Sequence, residues 1–229
     1  MRAGIKAPRW KGSVSAMNHR VVLAEDNFLV REGVRGMLSG TGSVEVVASC
    51  GDLAEALEAI DRLVPDVVLT DIRMPPDRRD EGIVIAALCR RHHPSMGVVL
   101  LSQYAEASYV RTLLTEGTQG RGYLLKERVA DLDDLLAAID EVAGGGSAID
   151  PKVVETLVTG RSLAGDSDIA RLTPRERQVL ACIAQGRTNA AIAGELFLTQ
   201  HAVEKHINSI FTKLGLSGDR TNHPRVRPP

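Results

Sequence analysis

The chain is most easily bounded by what it lacks. No apolar run approaches the ~20 residues that a membrane-crossing helix needs, and the basic leader is not followed by the apolar segment of a secretory signal. Both absences point to the cytoplasm. Cysteines number three, Cys50, Cys89 and Cys182, lie far apart and form no CxxC pair. That excludes a disulfide framework and a zinc cluster and fits buried thiols in a reducing compartment. Aromatics are scarce, and neither an internal repeat nor a low-complexity tract is present. The remaining composition is that of an ordinary globular protein.

At 229 residues the chain is long enough for two small domains. The net charge of −1 hides an asymmetry. Residues 20–141 hold 21 acids and 13 bases, whereas residues 167–229 hold 5 acids and 9 bases. Residues 1–19 add four bases and no acid. An acidic part suited to a cation and a basic part suited to phosphates imply two tasks.

Residues 1–19 lack periodicity and read as a disordered basic leader. From residue 20 to 143 five short apolar runs alternate with five helical patterns. The strands are read at Arg20–Ala24, Val44–Ala48, a run ending at Asp71, Gly97–Leu101 and Gly122–Leu125. The helices are read at Phe28–Leu38, Leu53–Leu63, about Gly82–His92, Glu106–Thr115 and Leu132–Val142. Phe28 and Leu29 are counted in the apolar set of the first. Asp52, with Glu55 three residues on, reads as a capping box, and Asp131 as a cap. Such alternation predicts an α/β domain with a doubly wound, five-stranded parallel sheet in the order 2-1-3-4-5. Residues 144–168, opening on Gly144-Gly145-Gly146-Ser147, read as a linker with one short helix at Pro151–Thr159.

The stretch Val67-Val68-Leu69-Thr70-Asp71 is a buried strand that stops at an acid, and Pro75-Pro76 forbids its continuation. In a doubly wound sheet the carboxyl edge of the strands is where ligands bind. The first strand ends in Glu25-Asp26, the third in Asp71, the fourth in Ser102 and the fifth in Lys126, so all five side chains should gather at one edge. Three carboxylates repel one another unless a cation sits among them. Oxygen donors without Cys or His point to a hard ion, Mg2+. Asp71, the central carboxylate, is the natural nucleophile toward a phosphoryl group; Lys126 would neutralise the transferred oxygens and Ser102 would bond one of them.

These residues, with Met74-Pro75 after Asp71 and Gly122-Tyr123-Leu124-Leu125-Lys126, resemble the response-regulator receiver domain, a flavodoxin-like fold, over roughly residues 20–143. The resemblance implies Mg2+ held by Asp26, Asp71 and the carbonyl of Arg73, with Glu25 assisting. It implies phosphorylation of Asp71 by a sensor histidine kinase, and a switch in which Tyr123 turns inward as Ser102 closes on the phosphate. Taken alone, Tyr123 is a half-buried strand aromatic. Two loops, Pro75–Gly82 and Gly117–Gly122, are longer than the family's usual connections, and both border the site or the switch face.

Residues 169–216 are helical throughout. Thr173-Pro174-Arg175-Glu176 is a helix start with a capping box and Pro at N1. Asn189–Phe197 is a second helix, Leu198-Thr199-Gln200 a tight turn and Gln200–Leu214 a third helix, which makes a helix-turn-helix. The run from Leu172 through Asn189-Ala190-Ala191-Ile192-Ala193 and Val203-Glu204-Lys205-His206-Ile207 to Leu216 resembles the NarL/LuxR-type DNA-binding domain. The resemblance puts the third helix in the major groove of double-stranded DNA, with Glu204, Lys205 and Asn208 reaching base edges. Thr188, Thr199, His201 and Lys213 are placed for phosphates. Residues 217–229 carry three prolines and Gly218 where this family normally has a fourth helix for pairing. They read as an irregular tail, so a homodimer, if formed, should depend on the receiver.

The sequence therefore describes a non-enzymatic regulator whose phosphorylation controls DNA binding. A dehalogenase-like phosphohydrolase would need an acid two residues after the nucleophile, where Arg73 stands. A DNA-binding protein indifferent to phosphorylation would not need so complete an acid site.

Overall fold

Six strands, not five, form the sheet in the computed structural model, which describes residues 18–162 and 169–215. The leader up to residue 17, residues 163–168 and the tail from residue 216 lie outside the described residues, as do the expectations made for them. The strands are β1 (His19–Ala24), β2 (Val44–Cys50), β3 (Val67–Asp71), β4 (Gly97–Ser102), β5 (Arg121–Leu125) and β6 (Ser147–Ile149). All neighbours are parallel, in the order β2-β1-β3-β4-β5-β6. The expected 2-1-3-4-5 order holds, and β6 extends it. β6 falls in the stretch read as linker. Three residues after a glycine triplet are too few to show a period, but the backbone fixes them. Gly120 N donates to the carbonyls of Gly145 and Gly146 at 3.2 and 2.9 Å. Gly145, at φ +80°, turns the chain back along β5 as only glycine does readily.

The helices are α1 (Phe28–Ser39), α2 (Leu53–Leu63), α3 (Glu81–His92), α4 (Ala107–Leu114), the single turn α5 (Lys126–Val129) and α6 (Leu132–Ala143). They continue as α7 (Pro151–Ser162), α8 (Pro174–Ala184), α9 (Asn189–Glu195) and α10 (Gln200–Lys213). Caps explain several starts. Asn27 Oδ1 accepts from Leu29 N and Val30 N, Asp131 accepts from Asp133 N, and the Thr173–Glu176 box closes in both directions. The box expected at Asp52 is only half made. Asp52 accepts from Glu55 N, but the Glu55 carboxylate turns to Gly51 N at 2.7 Å. Phe28 and Leu29 are also not on the buried face of α1: they are 62% and 78% exposed, and Val34 and Leu38 carry the packing.

Alternation along each strand sends side chains to two cores. Val21, Leu23, Val67, Leu69, Val99, Leu101 and Leu124 pack with α1 and α6. Val22, Val68, Val98, Leu100 and Tyr123 pack on the opposite face with α2, α3 and α4. The second core does not stop at the receiver. It runs through Ile149, Val153 and Val154 into Val179, Ile192, Val203, Ile207 and Phe211 of the helical domain. The edge strand β6 is thus covered rather than exposed, and Ser147 and Ile149 line a small cleft with Ile183, Asn189, Ile207 and Phe211. Within the stretch read as a linker, Ile149, Val153 and Val154 join the two parts of this core.

Candidate phosphoacceptor site and DNA-reading helix

Parallel register brings the strand ends together. Asp71 ends β3 opposite Leu101, and Ser102 ends β4 opposite Leu125, the residue before Lys126. Glu25 and Asp26 follow β1. One carboxylate oxygen from each of Glu25, Asp26 and Asp71 lies within 4.8 Å of the others. Lys126 Nζ reaches Glu25 Oε2 and Asp71 Oδ2, each at 2.8 Å. Asp71 Oδ1 accepts from Ile72 N at 2.7 Å. Burial pushes the Glu25 carboxyl up, against the pull of Lys126. Burial would lower Lys126, but its bonds to Asp71 and Glu25 outweigh it and hold the ammonium charged. The group opens into a cleft of about 310 Å³ that Ser102, Arg73 and Tyr104 also line.

The long loop after Asp71 is tied from within. Glu81, 4% exposed, accepts from Met74 N, Asp77 N and Arg79 N at 3.2, 3.0 and 2.9 Å. Burial alone would raise Glu81; the surrounding backbone N–H groups, its own included, hold it below its ordinary value. Gly82 permits this closure, because a Cβ there would stand 2.3 Å from the Asp71 carbonyl. From the same loop Arg78 reaches Asp26 Oδ2 at 3.2 Å. Arg73, whose carbonyl was assigned to the metal, sends its guanidinium outward to Glu106 at 2.9 Å and over the Tyr109 ring. Sequence reasoning missed Arg78 and Glu81. The acid immediately before Gly82 was the available signal for the second.

Ser102 is buried and turned toward its own loop, donating to Tyr104 O at 2.8 Å and accepting from Tyr104 N at 3.2 Å. Tyr123 is not half-buried. It is fully buried, and its hydroxyl donates to the same Tyr104 carbonyl at 2.9 Å. Ser102 and Tyr123 therefore meet at one backbone group.

The residues assigned to DNA are not equally free to meet it. Lys205, His201 and Thr199 are exposed, and Thr199 caps α10 by accepting from Ala202 N. Thr188 is buried as the cap of α9. Lys213 is engaged within the domain, both oxygens of Glu176 lying 2.7 Å from its Nζ. Burial would raise Glu176, but Lys213 and the neighbouring donors bring it down to about 2. Glu204 and Asn208 face the receiver. Glu204, 5% exposed, accepts from Thr118 Oγ1, from Ser147 Oγ at 3.4 Å and from Asn189 Nδ2 at 2.6 Å. Asn208 Oδ1 accepts from Thr118 N at 3.0 Å. Thr118 belongs to the second long loop, Gly117–Gly122.

Two known families match separate parts of the chain. Residues 21–140 match the response regulator receiver domain, and residues 170–221 match the bacterial regulatory proteins of the luxR family. A probable transcriptional regulatory protein NarL of Mycobacterium tuberculosis is 37% identical over 86% of this chain and 88% of its own length. The oxygen regulatory protein NreC of Staphylococcus aureus is 33% identical over 86% and 91%. Among solved structures, the RcsB response regulator of Salmonella typhimurium superposes with a TM-score of 0.53 and 26% identity, over 89% of this chain and 95% of its own. The chain belongs to the two-component response regulators that join a receiver domain to a LuxR-type DNA-binding domain, and it is a transcription regulator.

Proposed function

We propose that a sensor histidine kinase phosphorylates Asp71 in the cytoplasm and that phosphorylation frees the α10 helix to read a double-stranded promoter. An Asp71 carboxylate oxygen attacks the phosphorus of a phosphohistidine, the P–N bond breaks, and the imidazole leaves with its electron pair. Lys126 lies against both Asp71 and Glu25 and would follow the charge onto the phosphoryl oxygens. Ser102 would exchange its bond to Tyr104 for one to a phosphoryl oxygen. The oxygen-only donor set suits a hard divalent ion, so Asp26, Asp71 and the Arg73 carbonyl, with Glu25 beside them, would hold Mg2+. Its charge would offset that of the incoming phosphoryl group.

On the DNA side, Lys205, Glu204 and Asn208 are the base readers; Thr188, Thr199, His201 and Lys213 are the phosphate contacts. One observation carries the regulatory reading: Glu204 and Asn208 are bonded to Thr118 and Ser147 of the receiver, so DNA and receiver compete for the same side chains. Phosphorylation then acts by relief of a block, and a receiver-mediated homodimer can form once the block is lifted. Titration of promoter DNA with and without beryllium fluoride tests this. Wild type should gain affinity and Asp71→Asn should not; equal affinity of wild type in both conditions overturns the reading.

A further inference from the structure

We infer that Asp150, at the end of β6, is the positioning residue that links the phosphoacceptor edge of the sheet to the DNA-binding domain. The inference rests on the relief-of-block reading above. Asp150 is 0% exposed, and each of its polar groups is committed. Its backbone N donates to Tyr123 O at 2.9 Å. Oδ2 accepts from Leu125 N at 3.4 Å and from Arg128 Nε at 3.1 Å. Oδ1 accepts from Lys152 N at 2.9 Å, and its carbonyl accepts from Val153 N and Val154 N at 2.9 and 3.1 Å. One residue thus grips the end of β5 and the first turn of α7.

The β5 residues it grips belong to the switch. Leu125 directly precedes Lys126, and Tyr123 shares the Tyr104 carbonyl with Ser102. Arg128 follows Lys126 by two residues and also binds Asp134 at 3.0 Å, which ties the junction to α6. Capping α7 needs only one side-chain oxygen, and a serine would supply it. The second oxygen, aimed back at Leu125 and Arg128, is unnecessary for the cap. It makes the carboxylate follow any movement of β5, because a buried charge left behind by its partners is costly.

Movement at Asp150 has two exits. Three residues away along β6, Ser147 bonds Glu204 of the α10 helix. In the other direction α7 packs on α8, which opens the helical domain. Asp150 and Ser147 are joined by the extended backbone of β6, held in register against β5, so a displacement at Asp150 is carried along the strand to Ser147. When Lys126 moves onto a phosphoryl group, Leu125 moves with it, Asp150 follows, and the Ser147–Glu204 contact is withdrawn.

The test uses the full chain with beryllium fluoride as the phosphate mimic and promoter DNA as the readout. Two variants are compared with wild type: Asp150→Asn, which keeps the shape, and Asp150→Ser, which keeps the α7 cap but cannot reach Leu125 and Arg128. Wild type should gain DNA affinity by roughly 5–150-fold with the mimic, the usual range of such coupling. Both variants should still take up phosphate at Asp71 from acetyl phosphate and should lose most of that gain. A stability defect alone would lower affinity with and without mimic and leave the ratio intact; an intact ratio in either folded variant overturns the inference. If wild type itself shows no gain, the fault lies with the relief-of-block reading. Should neither variant fold, hydrogen exchange of wild type decides. A mimic-induced change in protection at Lys152, Val153 and Val154 is expected, and unchanged protection there overturns the assignment.

Discussion

The acid site and the α10 helix present opposite states of readiness. At the acid site the side chains already converge, with Lys126 against Asp71 and Glu25, and a cleft opens onto them. On α10 two of the three base-reading candidates are spent on the receiver. The difference teaches where the control lies. On the proposed reading, the site that takes the phosphoryl group is open and the surface that reads DNA is covered by the domain that receives the signal. A phosphoryl group would then add about −1.5 to −2 charge at pH 7 to an already acidic domain, so bulk attraction to DNA would not be the activating force. A change in which surfaces are covered can be.

The largest break in the comparison is at its open end. Asp71→Asn should abolish phosphoryl uptake from acetyl phosphate and leave the fold intact, and mass spectrometry of the intact protein reads the outcome directly. Excess EDTA should stop uptake by wild type too. A phosphoryl group found on Asp71→Asn would move the site, and uptake undiminished by the chelator would remove the ion.

Why one end was legible in the sequence and the other was not is a matter of range. Asp71 announces itself through a local pattern, an apolar strand stopped by an acid and then by prolines, and the parallel sheet does the rest by bringing Glu25, Asp26, Ser102 and Lys126 to the same edge. The capping box at Thr173 was readable for the same reason. β6 was not, because three residues after Gly144-Gly145-Gly146 carry no period. The fate of Glu204 was not either. Its partners Thr118 and Ser147 lie 86 and 57 residues away, and nothing local tells a base-reading glutamate from a buried one. Phe28 and Leu29 misled in the other direction, since apolar spacing at a helix start does not say which turn meets the sheet.

The second break is at the covered end. Thr118→Val removes the hydroxyl that donates to Glu204 and keeps the shape. A buried carboxylate short of one donor costs about 1–3 kcal/mol, and the closed arrangement bears that cost while the open one does not. DNA affinity without any phosphate mimic should therefore rise, by roughly 5–150-fold, and the further gain on adding mimic should shrink. An unchanged resting affinity would show that the Thr118–Glu204 bond does not hold the domains together.

A smaller effect separates the exposed reader from the engaged cation. Lys205→Ala should cost about 1–3 kcal/mol at the preferred site and little on random DNA. Lys213→Ala should weaken all sequences about equally, and it should also destabilise the helical domain, because Lys213 holds Glu176 at the capping box. Competition titrations with specific and random duplexes distinguish the two. Equal losses on both duplexes for Lys205→Ala would remove its base contact.

The smallest effect is a pH dependence of closure itself. Glu141 of α6 meets the helical domain at Asn189, whose backbone N donates to Glu141 Oε2 at 3.2 Å while its side chain donates to Glu204. Two carboxyls thus share one residue. The charges acting on Glu141 are those of Glu204 and Asp140, and Asp140 is itself bonded to His19. Burial, then the charges of Glu204 and Asp140, push the Glu141 carboxyl from 4.5 up to about 7 against the opposing bond from Asn189. Opening the interface would return it toward 4.5. A carboxyl raised in the closed arrangement binds its proton more tightly there, so its contribution to closure is complete below about pH 4.5 and is lost as pH rises through about 7. Resting DNA affinity should accordingly climb across that window, by at most about tenfold per pH unit for one proton, and level off above it. Glu141→Gln carries no titrating group at that position and should flatten the climb. Any other pH dependence of DNA binding is common to both proteins, so the difference between the two slopes is the quantity to measure. Parallel slopes for wild type and Glu141→Gln would show that this carboxyl does not govern closure.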